Sequence, residues 1–134
     1  MLGTDTVSSG AITLDDNTIF NHVGLQYNST LIPSKLDMEE MGIALTKNIV
    51  TAIISFYNTL GGEYGDTATN LWQIVTRDRE DAFGSPPTLF TDIKECPFDA
   101  DYEREGNICI RQTTACPMTV RGIILVVGVY DDSF

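Results

Sequence analysis

The side chains best suited to chemistry are four carboxylates at alternate positions: Asp99, Asp101, Glu103 and Glu105. Several carboxylates close together in sequence can gather a hard cation such as calcium. The EF-hand calcium loop, however, needs glycine at its sixth position, and counting from Asp99 that position holds Arg104. We therefore interpret residues 95–107 as a solvated acidic loop and assign no metal-ligating residue.

A catalytic site built on histidine would have to use His22, which is the only histidine of the chain. No G-x-S-x-G nucleophile motif accompanies it, and we interpret it as a surface residue. The three cysteines, Cys96, Cys109 and Cys116, lack the C-x-x-C spacing that is typical of zinc sites. In a reducing compartment all three should remain thiols. We therefore assign no catalytic residue, no cofactor-binding residue and no cofactor.

Acidic residues outnumber basic residues by 19 to 8, which gives a formal net charge of −11. Direct binding of nucleic acid is disfavoured, because contacts with phosphate need clustered lysine and arginine. Binding to an anionic membrane surface is disfavoured for the same reason. The charge balance instead directs attention to contacts with other proteins.

The N-terminal sequence, Met-Leu-Gly-Thr-Asp, predicts no secretion signal, since it has neither a basic leader nor a long apolar core. The longest apolar runs are shorter than the roughly 20 residues that span a bilayer. We therefore expect a protein that is synthesised in the cytoplasm without a signal peptide.

The length of 134 residues fits a single domain over 1–134. Residues 1–9 show no periodicity and are interpreted as an extended N-terminal arm. Apolar and polar residues then alternate over 12–14 and again over 19–27, with turn-forming residues at 15–18 between them. This arrangement predicts an N-terminal β-hairpin.

Residues 36–60 carry the strongest periodic pattern and predict one long central helix. Ser34 and Asp37 each precede an acidic residue by three positions, which is the capping-box spacing, and Gly61 matches a helix stop. The apolar residues of the segment would cover more than half of the helix perimeter. No charged residue follows Lys47 within the segment. We therefore expect protein contacts on every face of this helix.

Two later segments complete the predicted fold. A second short helix could begin at Asp66 and end at Gly84. Residues 71–76 alone fit a strand instead, because β-branched and aromatic residues favour one; of the two we favour the helix. Residues 118–130 predict a C-terminal strand, and their apolar run from Ile123 onward is typical of a strand covered on both faces. The sequence thus predicts an α+β fold. An antiparallel or mixed sheet, made of the N-terminal hairpin and the C-terminal strands, packs on the central helix.

The predicted helix and the last strand would expose more apolar surface than one domain of this size can bury. This excess suggests a function that involves contacts with other chains. We therefore expect a non-enzymatic structural assembly subunit whose partners are copies of itself or other proteins of a larger assembly. The most concrete form of this hypothesis is a virion component, such as a phage capsid-accessory, neck or tail protein. Such a subunit would be incorporated into a virion after its synthesis.

Two alternatives from other classes stay open. The first is a small enzyme or ligand-binding protein, with chemistry supplied by carboxylates, Tyr27, Tyr57 or Cys109 in a pocket between sheet and helix. The second is an acidic inhibitor that imitates nucleic acid and steers basic partners. It requires dispersed carboxylates to converge on one face, among them Asp15, Glu39, Glu80 and Glu103.

Overall fold

The structure is a computed structural model that describes residues 5–14, 23–35, 46–77, 79–82, 85–99, 101–102 and 106–130. Within these ranges it contains seven β-strands and no helix. The strands are β1 (Ser29–Leu31), β2 (Thr46–Phe56), β3 (Glu63–Thr67), β4 (Asn70–Gln73), β5 (Ile93–Pro97), β6 (Cys109–Gln112) and β7 (Val120–Tyr130). They form a four-stranded sheet in the order β1-β6-β3-β4 and a three-stranded sheet in the order β5-β2-β7. All pairings are antiparallel.

The predicted α+β fold with a central helix over 36–60 is wrong. Residues 46–56 of that segment form β2, which pairs with β7 on one side and β5 on the other; residues 36–45 lie outside the described ranges. Six of the eleven residues of β2 are β-branched, which favours a strand. Its pairing with β7 shifts register between Ile49 and Thr51, as in a β-bulge. The extra residue, Val50, keeps the following buried residues on the same side of the sheet.

The second predicted helix is also wrong, because the chain turns back after β3 and forms β4 over part of 71–76. The predicted N-terminal hairpin is not seen in the described residues: 12–14 and 23–27 are not strands, and 15–22, which hold its turn and the start of its second strand, lie outside the described ranges. Among the described residues before Thr46, the one strand is β1, which pairs with β6. In the ranges that the structure describes, no helix is long and apolar enough to cross a membrane.

One hydrophobic core joins the two sheets. From β2 it receives Ile49, Ala52, Ile54 and Phe56, and the other buried members are Tyr64, Ile74, Cys96, Ile108 and Ile110. The Tyr64 ring packs against Trp72 and Phe98, with ring centroids 5.7 and 5.3 Å away. Its hydroxyl donates to the Pro97 carbonyl at 2.9 Å, so β3 is tied directly to the end of β5. This burial of apolar surface is the main source of stability for the pair of sheets.

A buried polar side chain, Gln112, fastens the loops beside this core. Its amide nitrogen donates to the carbonyl oxygens of Leu60 and Cys116, each at 3.1 Å. Its amide oxygen accepts from the hydroxyl of Thr114 at 3.0 Å. Gln112 is only 1% exposed, and these bonds replace the water that it loses on burial. The network therefore holds the chain that leads from β6 into β7.

Candidate functional site

The free edges of the two sheets differ in length and in chemistry. β1 and β4 are edge strands of three and four residues. The β5 edge has five residues, carries Lys94 and Glu95, and ends at Pro97. Short length, charge and proline are the devices that prevent an edge from pairing with another chain. Three of the four edges are thus protected.

The fourth edge, β7, lacks this protection. It has eleven residues, and Arg121 is its only charged residue. β7 pairs with β2 along one side, and within the described ranges no strand pairs with its other side. A long, apolar and unpaired edge strand offers a row of backbone donors and acceptors to a further strand. The β7 edge is therefore the candidate functional site of the chain.

The surface next to this edge carries several apolar side chains among small polar ones. The side of the three-stranded sheet that faces away from the core, here called the outer face, carries Val50, Ile53, Ile124, Val126 and Tyr130. Ile53 lies opposite Ile124 across the β2–β7 pairing, and Thr51 lies opposite Val126. Ile124 is 65% exposed and Val126 is 46% exposed. Contiguous exposed apolar residues of this kind mark interaction surfaces.

An aromatic pair borders the outer face near the end of β7. The rings of Tyr102 and Tyr130 meet edge-on, with centroids 6.4 Å apart. The Tyr102 hydroxyl lies close to Gly128: a Cβ atom at position 128 would be 3.6 Å from it. Tyrosine combines a large apolar ring with a polar hydroxyl, a property that enriches it in protein interfaces.

The electrostatics of this region differ from those of the whole chain. Residues 106–130 contain no aspartate or glutamate, although the net charge of the protein is −11. Of the two arginines in this stretch, Arg111 is held by Glu63, whose Oε2 accepts from Nε at 3.0 Å and from Nη2 at 2.8 Å. Arg121 lies over the exposed ring of Tyr57, 5.8 Å from its centroid. β7 itself therefore presents no acidic side chain to a partner, although Glu95 of β5 lies on the same outer face, opposite Ile53.

The pairing with β2 explains why the two faces of β7 differ in exposure. Ile123, Leu125 and Val127 lie opposite Ile54, Ala52 and Ile49 of β2 on the core side. The pairing shifts register again near Arg121, which keeps Val120 against Phe56. The apolar run from Ile123 onward led us to expect cover on both faces. The described residues partly bury Ile123, Leu125 and Val127 on the core side, leave Val129 43% exposed, and leave the outer face exposed.

A small cleft opens between the β1 end of one sheet and the start of β7. Its volume is about 210 Å³, and it is lined by Tyr27, Ser29, Leu31, Ile110, Gln112, Met118 and Val120. The Tyr27 hydroxyl is engaged there, since it donates to the Cys116 carbonyl at 2.7 Å. The cleft is below the usual size range of ligand pockets. Of the residues proposed for an enzyme or ligand site, it contains Tyr27 alone; Tyr57 is exposed and Cys109 is buried elsewhere.

The carboxylates singled out from the sequence are only partly described. Asp99 and Asp101 are exposed, while Glu103 and Glu105 lie outside the described residues, as does His22. Among the described residues no three histidine, cysteine, aspartate or glutamate side chains are grouped to hold a metal ion. The interpretation of 95–107 as a loop needs correction at its start, because Glu95 to Pro97 belong to β5.

The three cysteines are free and buried. Burial raises the pKa of the Cys96 thiol from 9.0 to about 11, although Lys94 nearby lowers it. Burial also raises the pKa values of Cys109 and Tyr64. A thiol whose proton is held so tightly in the folded state is a poor nucleophile at neutral pH. Cys96 and Cys109 are therefore core residues, and Cys116 is buried as well.

The raised pKa of Cys96 predicts a loss of stability in alkali. Below about pH 9 the thiol is protonated in both states, whereas between about pH 9 and pH 11 only the unfolded chain releases the proton. The free energy of unfolding should therefore fall over this range, by about 1 to 2 kcal/mol from Cys96. Urea unfolding at about pH 8 and about pH 10.5 measures the change. In Cys96→Ala the fall should be smaller, and an equal fall would refute the assignment.

Comparisons with known proteins identified no related sequence. No family model matches the sequence, and a search of curated proteins found no significant match. The exposed β7 edge and outer face are therefore the features from which a function can be inferred.

Proposed function

We propose that this chain is a structural assembly subunit that joins other protein chains through the β7 edge and the adjoining outer face. The observation that supports this most is the contrast among the edges. β1, β4 and β5 are short or carry charge and proline, while β7 offers eleven residues with Arg121 as the single charge. Natural proteins protect such an edge unless it has a partner.

The outer face gives independent support. Ile124, Val126 and Tyr130 are exposed on β7 itself, Val50 is exposed on the neighbouring β2, and no acidic residue occurs from 106 to 130. Burying these side chains against a partner would remove apolar surface from water at little electrostatic cost. The narrower assignment to a phage virion has no support from the fold or the comparisons and is not part of this proposal.

The alternatives have less support. The cleft beside β1 gathers one of the residues that a small enzyme or ligand-binding protein was expected to use. The nucleic-acid mimic needs convergent carboxylates, and of the four named for it only Glu80 lies in the described residues. That hypothesis stays a prediction without structural support.

Replacing Ile124 by lysine should weaken self-association about 30-fold, because a charge would have to be buried in the interface. The matched control is Val75→Lys, since Val75 is 63% exposed and Ile124 is 65% exposed, and Val75 lies outside β7. Sedimentation velocity at about 1 to 100 μM protein would measure the mass of the particle. The wild type and Val75→Lys should sediment as oligomers and Ile124→Lys as a monomer. Equal effects of the two lysines would contradict the proposal, and a wild type that stays monomeric at every concentration would exclude self-association as the form of assembly.

A further inference from the structure

Building on the proposed function, we infer that the occupant of the β7 edge is β7 of a second copy of this chain. The two strands would pair antiparallel about a two-fold axis at Val126. The two three-stranded sheets would then continue as one sheet across the subunit boundary. An isologous contact of this kind closes on itself and satisfies both free edges at once.

The outer-face residues of β7 support this pairing by their sizes. With the axis at Val126, that residue lies opposite its own copy. Ile124 then lies opposite Gly128 of the second copy, and Tyr130 lies opposite Gly122 of the second copy. Ile124 and Tyr130 thus each face a glycine, and the Tyr102 hydroxyl approaches Gly128 from the same face. Directly opposed residues on one face of an antiparallel pair are the closest neighbours across it, so this alternation fits the strand to itself.

Gly122 has the space that the pairing needs. A side-chain carbon placed there would meet no atom within 4 Å in the monomer, and Tyr130 is exposed. On the core side the same register sets Ile123 opposite Val129 and Leu125 opposite Val127 of the second copy. All of these pairs are apolar. The pairing therefore leaves no charged side chain buried along its centre.

The neighbouring registers are poorer. A shift of one residue would set core-side residues of one copy opposite outer-face residues of the other. A shift that places Leu125 opposite its own copy would bring Gly122 opposite Gly128 and crowd Ile124 against Val126. The match of large with small residues would then be lost.

The charges at the strand ends agree with an antiparallel arrangement. Arg121 is the only charge in β7, and Asp131 and Asp132 follow Tyr130 directly in the sequence. In the antiparallel pair, Arg121 of each copy lies at the same end as Tyr130 of the other copy, after which the acidic sequence begins. A parallel pair would instead set like charges side by side, which is unfavourable. Arg121 thus favours the antiparallel arrangement over the parallel one.

Crosslinking tests the position of the axis. Val126→Cys should form a covalent dimer on mild oxidation, because the two new thiols would face each other across the axis. The matched control is Val50→Cys, since Val50 is 50% exposed and Val126 is 46% exposed on the same outer face. Val50 lies on β2, away from the edge, and should give no dimer. Equal crosslinking of both variants would indicate that outer faces stack, and would overturn the edge pairing.

A size exchange tests the register without a new thiol. Gly122→Val has room in the monomer and favours a strand, yet it should weaken the dimer about 10-fold by crowding Tyr130 of the second copy. The double variant Gly122→Val, Tyr130→Ala should recover most of that loss. Circular dichroism and thermal unfolding would show that each variant remains folded. A Gly122→Val dimer as tight as the wild type would overturn the register.

The outcomes separate this inference from the proposed function. If the chain associates and Ile124→Lys abolishes association, but Val126→Cys does not crosslink, the edge pairing is wrong and the assembly role stands. If the wild type never associates with itself, the pairing with a second copy fails, and the assembly role then requires a different chain as the partner at β7. Crosslinking at Val126 together with the size exchange supports both.

Discussion

Replacing Phe56 by alanine should lower the free energy of unfolding by about 4 kcal/mol, the largest effect that we expect from a single substitution. Phe56 is fully buried at the end of β2, and its ring meets Phe90 edge-on with centroids 6.4 Å apart. Truncation would remove this contact and leave a cavity between the sheets. Domains of this size are stable by only about 5 to 15 kcal/mol, so the loss is a large fraction of the total.

The neighbouring aromatic residue provides the matched control. Tyr57 is 48% exposed, and Tyr57→Ala should cost less than about 1 kcal/mol. On a helix over 36–60 both rings would belong to the broad apolar face, whereas at the end of a strand they point to opposite sides. Urea unfolding of the two variants therefore tests the strand itself. Equal losses would contradict the alternation that the structure shows.

Replacing Gln112 by methionine should cost about 2 to 4 kcal/mol, because two carbonyl oxygens would lose their donor. Those oxygens belong to Leu60 and Cys116, and methionine keeps nearly the same volume without a hydrogen-bonding amide. Gln73→Met is the control, since Gln73 is exposed at the end of β4 and should change stability by less than about 0.5 kcal/mol. Chemical unfolding compares the two.

A further variant shows whether the amide donor is the cause. Gln112→Glu preserves the shape but directs a carboxylate at the same two carbonyl oxygens, so its pKa should be raised in the folded state. The loss in free energy of unfolding, relative to the wild type, should then be larger at neutral pH. It should be smaller near about pH 4, where the protonated carboxyl can donate a hydrogen bond. If Gln112→Met proved as stable as the wild type, the network would not hold the approach to β7.

The helical pattern of residues 36–60 misled the prediction for an identifiable reason. Buried residues in a regular strand are two apart, but the bulge at Val50 sets Ile49 and Ala52 three apart. Ile49, Ala52 and Phe56 then have the spacing of a helix face. The β-branched content of the segment was the opposing signal, and it indicated the strand correctly. A bulge shifts the alternation of buried and exposed residues by one position, so the spacing across it can imitate that of a helix.

The C-terminal strand was easier to predict because its composition is unambiguous. Residues 118–130 contain β7, and the run from Ile123 onward is apolar at every position except the glycine at 128. The sequence could not show that β7 lies at an edge, since strand order depends on contacts with distant segments. Once the order β5-β2-β7 is known, the exposed outer face identifies the surface.

One sequence signal for the site was overlooked. The absence of acidic residues from 106 to 130 is visible in the printed sequence, and in a chain of charge −11 it marks a region suited to contact with protein. The alternation of Gly122, Ile124, Val126 and Gly128 is equally visible. Neither pattern has meaning until the structure shows that these residues share one exposed face beside a free edge.

Hydrogen exchange along β7 as a function of protein concentration is the most direct measurement of the central claim, that this edge joins another chain. In an associated particle, the amides of Ile123 to Tyr130 that point away from β2 should become protected as concentration rises, while those at the β5 edge should not change. Ile124→Lys should abolish this protection. If these β7 amides exchange freely at every concentration, or protection arises at another surface instead, the account of β7 as the assembly edge is contradicted.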